Sequence, residues 1–418
     1  MSRVLKKTIY PHTHFGYKPK GLKFKKSKMS VGVYLDNSAS TPIDPEVLKE
    51  MVETSKLYGN PSSFNNAGRE ARNKLEECRL TIARFIGVRT EEAIFTSSGS
   101  EANNLAIFGL ASLSSKKGEI ISTPIEHPSV LGPLKKLENL GWKITYLKVN
   151  HGGLVDLEDL KQKLNPRVVL VSIIYANNEI GTIQPIVKIS KIINDFKKNL
   201  PPTTYNLQPI FHIDACQAAG YLDMNVNNLG VDLMTFNGAK IYGPKGVGVL
   251  CKKRVVKLNP LIHGGDQEYG LRAGTENLPA VAGLAKAVFL IDKNEGLKVM
   301  KLRDYFLDKV TQILPVKING PRGGARLANN INISVPGLDS ENILLELDKY
   351  GVYASAGSAC TAHLVEPSHV LKAIGVKNEY LSGVLRFSLG RQTTKKNIDY
   401  VLEVLPKIMA NLKQRYKK

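Results

Sequence analysis

The stretch Ala93–Gly109, AIFTSSGSEANNLAIFG, begins as a short apolar strand, passes through a turn of serine and glycine, and continues as a helix that opens near Ser100. A strand, a tight turn and a helix in this order form the building unit of layered α/β folds. The backbone N–H groups at the start of such a helix, with Ser98, Gly99 and Ser100 around them, can hold an anion such as a phosphate. For this stretch taken alone, an ordinary serine cap of the helix is the alternative.

Segments of both kinds alternate along the chain on either side of this unit. We predict strands over Ala93–Thr96, Glu119–Ser122, Lys143–Leu147, Val168–Tyr175, Ile210–Asp214, Leu233–Asn237 and Gly248–Cys251. We predict helices over Pro45–Leu57, Asn66–Ile86, Ser100–Ser112, Pro128–Leu140, Leu157–Lys163 and Ile186–Lys198. This alternation predicts an α/β fold whose large domain contains a mixed, mostly parallel sheet.

The pattern changes at about residue 294, where a long helix leads into strands and helices of mixed order before a closing helix over Lys395–Tyr416. We therefore predict a large domain over residues 31–293 and a smaller α+β domain over 294–418. The N-terminal segment of the large domain is expected to pack on the small domain. Residues 1–30 form a basic arm that we expect to be disordered.

The charge of the chain is concentrated in that arm. The 418 residues include 58 Lys and Arg against 37 Asp and Glu, a net charge of +21, and residues 1–30 contain nine of the basic residues and no acidic one. A solvated arm is the simplest interpretation, and attraction to nucleic acid is an alternative. A mitochondrial presequence is a further alternative, but Pro11, Gly16, Pro19 and Gly21 would interrupt its amphipathic helix.

The cysteines and the apolar runs indicate a cytoplasmic setting. Cys78, Cys216, Cys251 and Cys360 lie far apart and form no C-x-x-C pair, which is typical of a reducing compartment. The longest apolar runs fall well short of the ~20 residues that a membrane span needs. We therefore expect no membrane partner.

Two polar residues close apolar strands farther along the chain. Asp214 ends the strand in FHIDACQAAG, with Gln217 three residues later, and Lys240 ends the strand in TFNGAKIYGPKGVGVL. A buried carboxylate can pair with the protonated nitrogen of a heteroaromatic ring, and a desolvated lysine amine can bond an aldehyde. The alternatives are a helix cap for Asp214 and a simple strand end for Lys240. With the anion cradle, the two residues predict a site for pyridoxal 5′-phosphate.

Three more polar residues are candidates for the same site. His127 in PIEHPSVLG and Asn178 in IIYANNEIG follow predicted strands, whose carboxyl ends meet at one edge of the sheet. The imidazole can stack on a cofactor ring and move protons, and the amide can reach a cofactor oxygen. Arg386 in GVLRFSLGR has a planar fork that suits a substrate carboxylate. The alternatives are a structural histidine, a turn-stabilising amide and a surface salt bridge.

Cys360 lies in YASAGSACTAHLVEPSHV, among small residues that predict an exposed loop. A thiolate in such a loop can act as a nucleophile. Half of a metal site made by Cys360 and His363 is the alternative, but the sequence contains no second pair with ligand spacing, so we expect no metal. Cys78, Cys216 and Cys251 are interpreted as packing residues.

The ordered motifs of the chain resemble those of the NifS/IscS-type cysteine desulfurases, which are fold-type I, class V aminotransferase-like enzymes. The motifs are YLDNSASTP, NPSSFNNAGR, FTSSGSEANNLAI, EHPSVL, NNEIGTIQPI, HIDACQA, KIYGPKGVG, HGGDQEYGLRAGTENLP, AGSACTAHLVEPSHVLKAIG and LRFSLGR. The resemblance extends from about Val33 to the C-terminus.

The resemblance implies removal of sulfur from L-cysteine to give L-alanine and a persulfide on Cys360, for transfer to an acceptor in iron–sulfur cluster assembly or tRNA thiolation. Lys240 and His127 would move protons, and Arg386 would hold the substrate carboxylate. The residues that would contact the cofactor are Lys240, Gly99, Ser100, Asn178, Asp214, Gln217 and, from a neighbouring subunit, Thr275. A homodimer follows from that last contact.

Two positions depart from the family pattern Ser-x-His-Lys, because Asn237 and Ala239 stand where a hydroxyl and an imidazole would help to hold the phosphate. We therefore predict weaker retention of the cofactor. The segment Leu200–Pro209 also looks longer than the family needs. Alternative functions are a selenocysteine lyase or another class V lyase, and a catalytically weakened binding protein that uses its basic arm.

Overall fold

The computed structural model describes residues 32–113, 117–200, 208–357 and 367–416. The basic arm, Cys360 and most of the segment Leu200–Pro209 lie outside these residues, so the predictions made for them are not examined by the structure.

Helices and strands alternate through most of the described chain. The helices are α1 (Pro45–Thr54), α2 (Asn66–Ile86), α3 (Gly99–Ala111), α4 (Pro128–Asn139), α5 (Leu157–Lys163), α6 (Ile186–Lys198), α7 (Val226–Leu229), α8 (Leu278–Phe289), α9 (Lys293–Ile313), α10 (Ser340–Lys349), α11 (His369–Ala373) and α12 (Lys395–Tyr416). The strands are β1 (Val33–Tyr34), β2 (Ala93–Thr96), β3 (Glu119–Ser122), β4 (Lys143–Tyr146), β5 (Val168–Ile174), β6 (Ile210–Asp214), β7 (Leu233–Asn237), β8 (Gly248–Lys252), β9 (Lys317–Ile318), β10 (Asn330–Ser334), β11 (Val352–Tyr353) and β12 (Val384–Ser388). None of the described helices is both long and apolar enough to cross a membrane.

The predicted α/β fold is confirmed by a seven-stranded sheet in the order β2-β8-β7-β6-β5-β3-β4. Strands β3 to β7 are parallel, and β8 runs antiparallel between β2 and β7. The carboxyl ends of β2, β3, β5, β6 and β7 therefore meet at one edge. Loops that leave those ends place the predicted polar residues side by side.

A second sheet and a second apolar core lie in the C-terminal part of the chain. Strands β12, β10 and β9 form a three-stranded antiparallel sheet. Strand β1 pairs in parallel with β11, and Leu35 is buried in the second core with Phe306 and Phe387. The N-terminal segment thus packs against the C-terminal part. The exact domain boundaries stay a prediction.

Helices α7 and α8, which lie in the part of the chain that forms the large sheet, were not predicted. Helix α8 has the sequence LPAVAGLAKAVF and is buried on most of its surface, where it packs against α1 and α2. Because the helix has buried, mostly small apolar residues on nearly every side, its sequence lacks the amphipathic period that indicates a surface helix.

Candidate active site

A cavity of about 230 Å³ opens at the carboxyl edge of the large sheet. The predicted site residues that line it are Gly99, Ser100, His127, Asn178, Asp214, Gln217, Lys240 and Arg386. The structure therefore brings together eight residues that come from segments up to 287 positions apart in the sequence.

The start of α3 forms one wall of this cavity. The Ser98 hydroxyl accepts a hydrogen bond from the Glu101 N–H at 3.1 Å, so Ser98 caps the helix, and the Glu101 carboxylate accepts one from the Ser97 N–H at 2.8 Å. A Cβ on Gly99 would lie 2.6 Å from Cys216 Sγ and 3.0 Å from Asn237 Nδ2. Only glycine therefore fits without a shift of these neighbours, and it leaves the backbone N–H groups of the turn open to an anion.

Asp214 stands at the end of β6 and is only 4 % exposed. Its carboxylate accepts hydrogen bonds from Asn103 Nδ2 at 2.8 Å and from the Cys216 N–H at 3.0 Å. Both donors are neutral, so the charge of the carboxylate is available to a cationic N–H group in the cavity. Nearby, the Gln217 amide donates to the Ser38 carbonyl at 2.9 Å and ties the loop after β6 to the N-terminal segment.

His127 caps the start of α4, with its Nδ1 accepting a hydrogen bond from the Ser129 N–H at 3.1 Å. The Ser129 hydroxyl lies 2.8 Å from the same nitrogen. That hydroxyl in turn accepts a hydrogen bond from Asn103 Nδ2 at 2.8 Å. Sequence reasoning missed Asn103 and Ser129, which connect Asp214 to His127. A polar residue one helical turn after Gly99 was the available signal for Asn103.

Lys240 follows β7 in a short 3₁₀ turn over Gly238–Lys240. Its Nζ donates to the carbonyl of Ala39. The segment that carries this carbonyl is held in place by Thr41, whose N–H donates to the Ala239 carbonyl at 2.9 Å and whose hydroxyl accepts from the Tyr242 N–H at 2.8 Å. The lysine is thus enclosed by a part of the chain that lies about 200 residues earlier.

Arg386 lies in β12 and is 1 % exposed. One terminal nitrogen donates to Asp36 at 2.9 Å, and the other donates to the Asn178 carbonyl at 3.1 Å. Its Nε is buried and has no hydrogen-bond partner among the described residues. A buried guanidinium with an unfilled donor is suited to an anionic group that enters the cavity.

Two titratable side chains near this edge of the sheet, Glu126 and His212, are completely buried. Burial raises the pKa of Glu126 to about 8 even though its carboxyl accepts hydrogen bonds from Thr123 Oγ1 at 2.6 Å and the Ile174 N–H at 2.9 Å. Burial lowers the pKa of His212 to about 4, and its ring contacts the hydroxyls of Ser172 and Thr235. Both groups are therefore largely neutral near pH 7.

The described cysteines fit the packing interpretation, because burial raises the pKa of each thiol. The pKa of Cys78 is raised to about 12, and those of Cys216 and Cys251 are also raised well above the ordinary value of a thiol. Cys216 also lines the cavity, which the sequence did not indicate. A protonated thiol is a poor nucleophile, so none of these three is suited to that role.

Thr275 does not line the cavity of its own chain and is exposed. The loop that carries it is fastened to β2 by Glu268, which accepts from Arg79 at 2.7 and 2.8 Å and from the Phe95 N–H at 2.8 Å. Glu268 and Tyr269 have φ angles of 49° and 59°, a strained conformation that this buried ion pair holds. The contact of Thr275 with a neighbouring subunit stays a prediction.

The cavity fits the parts of pyridoxal 5′-phosphate that the sequence predicted. The open N–H groups of the turn suit the phosphate, the Asp214 carboxylate suits the ring nitrogen, and the Lys240 amine suits the aldehyde. Asn237 contributes a buried Oδ1 that has no partner among the described residues, whereas Ala239 contributes no polar group. The predicted weakening of cofactor retention rests on this difference and stays a prediction.

Comparisons with known proteins agree with this interpretation. Residues 33–401 match the family model described as aminotransferase class V. The chain is 47 % identical to a cysteine desulfurase IscS of Dictyoglomus turgidum over 388 residues, which cover 91 % of this chain and 95 % of that protein.

Solved structures give the same picture. A NifS-like protein superimposes with a TM-score of 0.84 at 34 % identity, over 91 % of this chain and 100 % of that one. The structure described as SspA in complex with cysteine superimposes with a TM-score of 0.75 at 32 % identity, over 87 % of this chain and 100 % of that one.

Proposed function

The chain belongs to the class V aminotransferase family and is a cysteine desulfurase, and we propose that it uses pyridoxal 5′-phosphate to remove sulfur from L-cysteine and pass it to Cys360. The observation that carries the proposal is the cavity in which the anion cradle, Asp214, Lys240 and Arg386 meet. None of these features is specific by itself. Together they match the phosphate, the ring nitrogen and the aldehyde of the cofactor and the carboxylate of an amino-acid substrate.

The protein's part in holding the cofactor follows from the contacts in the cavity. When bound, pyridoxal 5′-phosphate supplies an electron-withdrawing ring and an aldehyde carbon. The turn at Ser98–Ser100 would hold the phosphate through its backbone N–H groups. Asp214 would accept a hydrogen bond from the ring N–H and stabilise its positive charge, while Asn178 and Gln217 would contribute amides at the edge of the site.

Arg386 is the substrate-binding residue in this proposal. Its unfilled Nε and its nearly complete burial favour a carboxylate partner, because an anion would satisfy the donor and offset the desolvation of the guanidinium. Asp36 and the Asn178 carbonyl hold the two terminal nitrogens and so fix the plane of the fork. The carboxylate of cysteine would then lie at the same edge of the sheet as Lys240.

Lys240 and His127 move the protons of the reaction. The Lys240 amine would hold the aldehyde of the bound cofactor, and its Nζ would take a proton from the substrate carbon. The carbonyl of Ala39 accepts a hydrogen bond from that nitrogen and keeps it at the cavity wall. His127 contributes from a different element of the site, at the start of α4.

The sulfur step transfers no electrons to or from an outside reagent. The Cys360 thiolate forms an S–S bond with the substrate sulfur while the substrate C–S bond breaks, and the electron pair of that bond stays on the carbon, which is later protonated to give alanine. On one side of the Cys360 segment the Ser368 hydroxyl donates to Glu179 Oε2 at 2.5 Å, and on the other a Cβ built on Gly357 would lie 3.1 Å from the same oxygen. Glu179 follows Asn178 directly, so Gly357 and Ser368 lie close to a residue that adjoins the cavity lining.

The proposed partners are a second copy of this chain and a protein that accepts sulfur. We include a homodimer in which Thr275 reaches the neighbouring subunit's cofactor, and an acceptor protein that takes the persulfide sulfur from Cys360. Iron–sulfur cluster assembly is the use that the name of the IscS relative suggests.

The test is the release of alanine and sulfide from L-cysteine by the protein after incubation with pyridoxal 5′-phosphate. The wild type is expected to produce both, and Lys240→Ala neither, because the amine at the end of β7 that bonds the aldehyde and moves the proton is then missing. Lys188→Ala, a change at an exposed lysine on α6, is the matched control and is expected to be fully active. Equal activity in Lys240→Ala and the wild type would contradict the proposal.

A further inference from the structure

Asn103 is completely buried, yet the function described above assigns it no role. It lies four residues after Gly99 in α3, so it projects from the same face of the helix as the anion cradle. Its Nδ2 donates to Asp214 Oδ2 and to Ser129 Oγ, each at 2.8 Å. A carboxylate oxygen accepts hydrogen bonds, so the NH₂ group must face Asp214 and the orientation of the amide is fixed.

The Ser129 hydroxyl is fixed in turn by this amide. Its oxygen accepts from Asn103, which leaves its one hydrogen for His127 Nδ1, 2.8 Å away. The Ser129 backbone N–H also donates to Nδ1, at 3.1 Å, and a backbone N–H can only donate. Because Nδ1 receives these hydrogens, the neutral imidazole carries its own hydrogen on Nε2.

We infer that Asn103 and Ser129 are positioning residues that hold neutral His127 as the Nε2–H tautomer, so that His127 acts as a proton donor at Nε2 and Lys240 is the base. The inference rests on the proposed function and deepens it. Asn103 thereby links Asp214 to His127, because the NH₂ group that donates to Asp214 also donates to Ser129, which contacts His127. Loss of Asn103 should therefore disturb cofactor binding and proton donation together, whereas loss of the Ser129 hydroxyl should disturb proton donation alone.

The tautomer can be measured directly in the unmodified protein. Full-length protein containing ¹⁵N-labelled histidine and loaded with pyridoxal 5′-phosphate would be examined by long-range ¹H–¹⁵N correlation, with His127→Gln used to assign the signal among the eight histidines. The expected pattern is a protonated Nε2 and an unprotonated Nδ1. A protonated Nδ1 in the neutral ring would overturn the inference.

The variants separate positioning from a general loss of structure. Ser129→Ala is expected to lower kcat about tenfold, which corresponds to one lost hydrogen bond, and to leave cofactor affinity unchanged. Ser129→Thr is expected to keep the wild-type kcat, because threonine also has a hydroxyl. Asn103→Ala is expected to lower kcat and cofactor affinity, each about tenfold, and to make the further change Ser129→Ala nearly silent. Asn194→Ala is the matched control, because it also removes an amide that donates to a serine hydroxyl, at 3.2 Å, but in α6, where neither residue lines the cavity.

The results of these variants distinguish a positioning role of Asn103 and Ser129 from a general loss of structure. Cofactor affinity is read from the visible absorbance of the bound cofactor, which does not depend on turnover, so failure of the desulfurase proposal itself would still leave this measurement and the tautomer interpretable. Additive effects of Asn103→Ala and Ser129→Ala, or a Ser129→Ala protein with the wild-type kcat, would overturn the inference.

Discussion

Replacing Asp214 with asparagine tests whether this carboxylate binds a cationic ring nitrogen. The change keeps the size of the side chain but removes its charge. It also leaves two donors, Asn103 Nδ2 at 2.8 Å and the Cys216 N–H at 3.0 Å, facing a group that now has one acceptor oxygen and one NH₂. One of these donors must lose its partner.

The magnitude follows from these contacts. Loss of a charge-assisted hydrogen bond to the ring should weaken cofactor binding by about 2 kcal/mol, which is about 30-fold in the dissociation constant. The unpaired buried donor should lower the stability of the cofactor-free protein by about 1–3 kcal/mol. The two effects are distinct, because the first requires the cofactor and the second does not.

The assay is a titration of the cofactor-free protein with pyridoxal 5′-phosphate, followed by visible absorbance, with urea denaturation of the same protein measured separately. Asp223→Asn is the matched control, since Asp223 is an exposed aspartate that also accepts from two neutral donors, the Asn225 N–H at 2.9 Å and Asn228 Nδ2 at 3.0 Å. A dissociation constant for Asp214→Asn within about twofold of the wild-type value would show that Asp214 does not bind a cationic ring nitrogen.

Three further predictions concern the walls of the site and the sheet beneath it. Gly99→Ala should weaken cofactor binding, because overpacking against Cys216 Sγ at 2.6 Å costs about 1–3 kcal/mol, and adding Cys216→Ala should restore most of the affinity in the same titration. Arg386→Lys should raise the KM for L-cysteine about tenfold without changing cofactor affinity, since an ammonium cannot reproduce the planar fork; an unchanged KM in steady-state assays would place the substrate carboxylate elsewhere. Glu126 has a folded-state pKa raised to about 8 by burial, so the stability it contributes is fully present below its unfolded pKa and is lost as pH rises through 8. Glu126→Gln should therefore reduce, by a few kcal/mol at most, the fall in urea stability of the wild type between about pH 5 and 8; an equally steep fall in the variant would mean that another group is responsible.

The sheet and most of its edge residues were predictable because they depend on local pattern. Runs such as Val168–Tyr175 are apolar and bounded by polar turns, and the residues that close them are the ones that the parallel sheet gathers at one edge. Asp214, Lys240 and His127 could therefore be assigned to one site from sequence pattern alone, although their roles stay predictions.

Other features could not be predicted, because they depend on contacts between distant segments. The link from Asn103 to Asp214 spans 111 positions, and that from Asn103 to Ser129 spans 26. The shifted pKa values of Glu126 and His212 arise from burial, which a single sequence does not reveal for a polar residue. Helix α8 was missed for a different reason, since burial on nearly all sides removed its periodicity.

The most direct test of the central claim is the mass of Cys360 after the cofactor-loaded protein has turned over L-cysteine without a reductant. We expect one added sulfur atom on Cys360, one alanine released for each sulfur bound, and neither excess sulfur nor alanine beyond background in Cys360→Ala. Cys78→Ala, which removes a buried thiol in α2, should behave as the wild type. Alanine released by Cys360→Ala at the wild-type rate, or sulfur found on a different cysteine, would contradict the central claim.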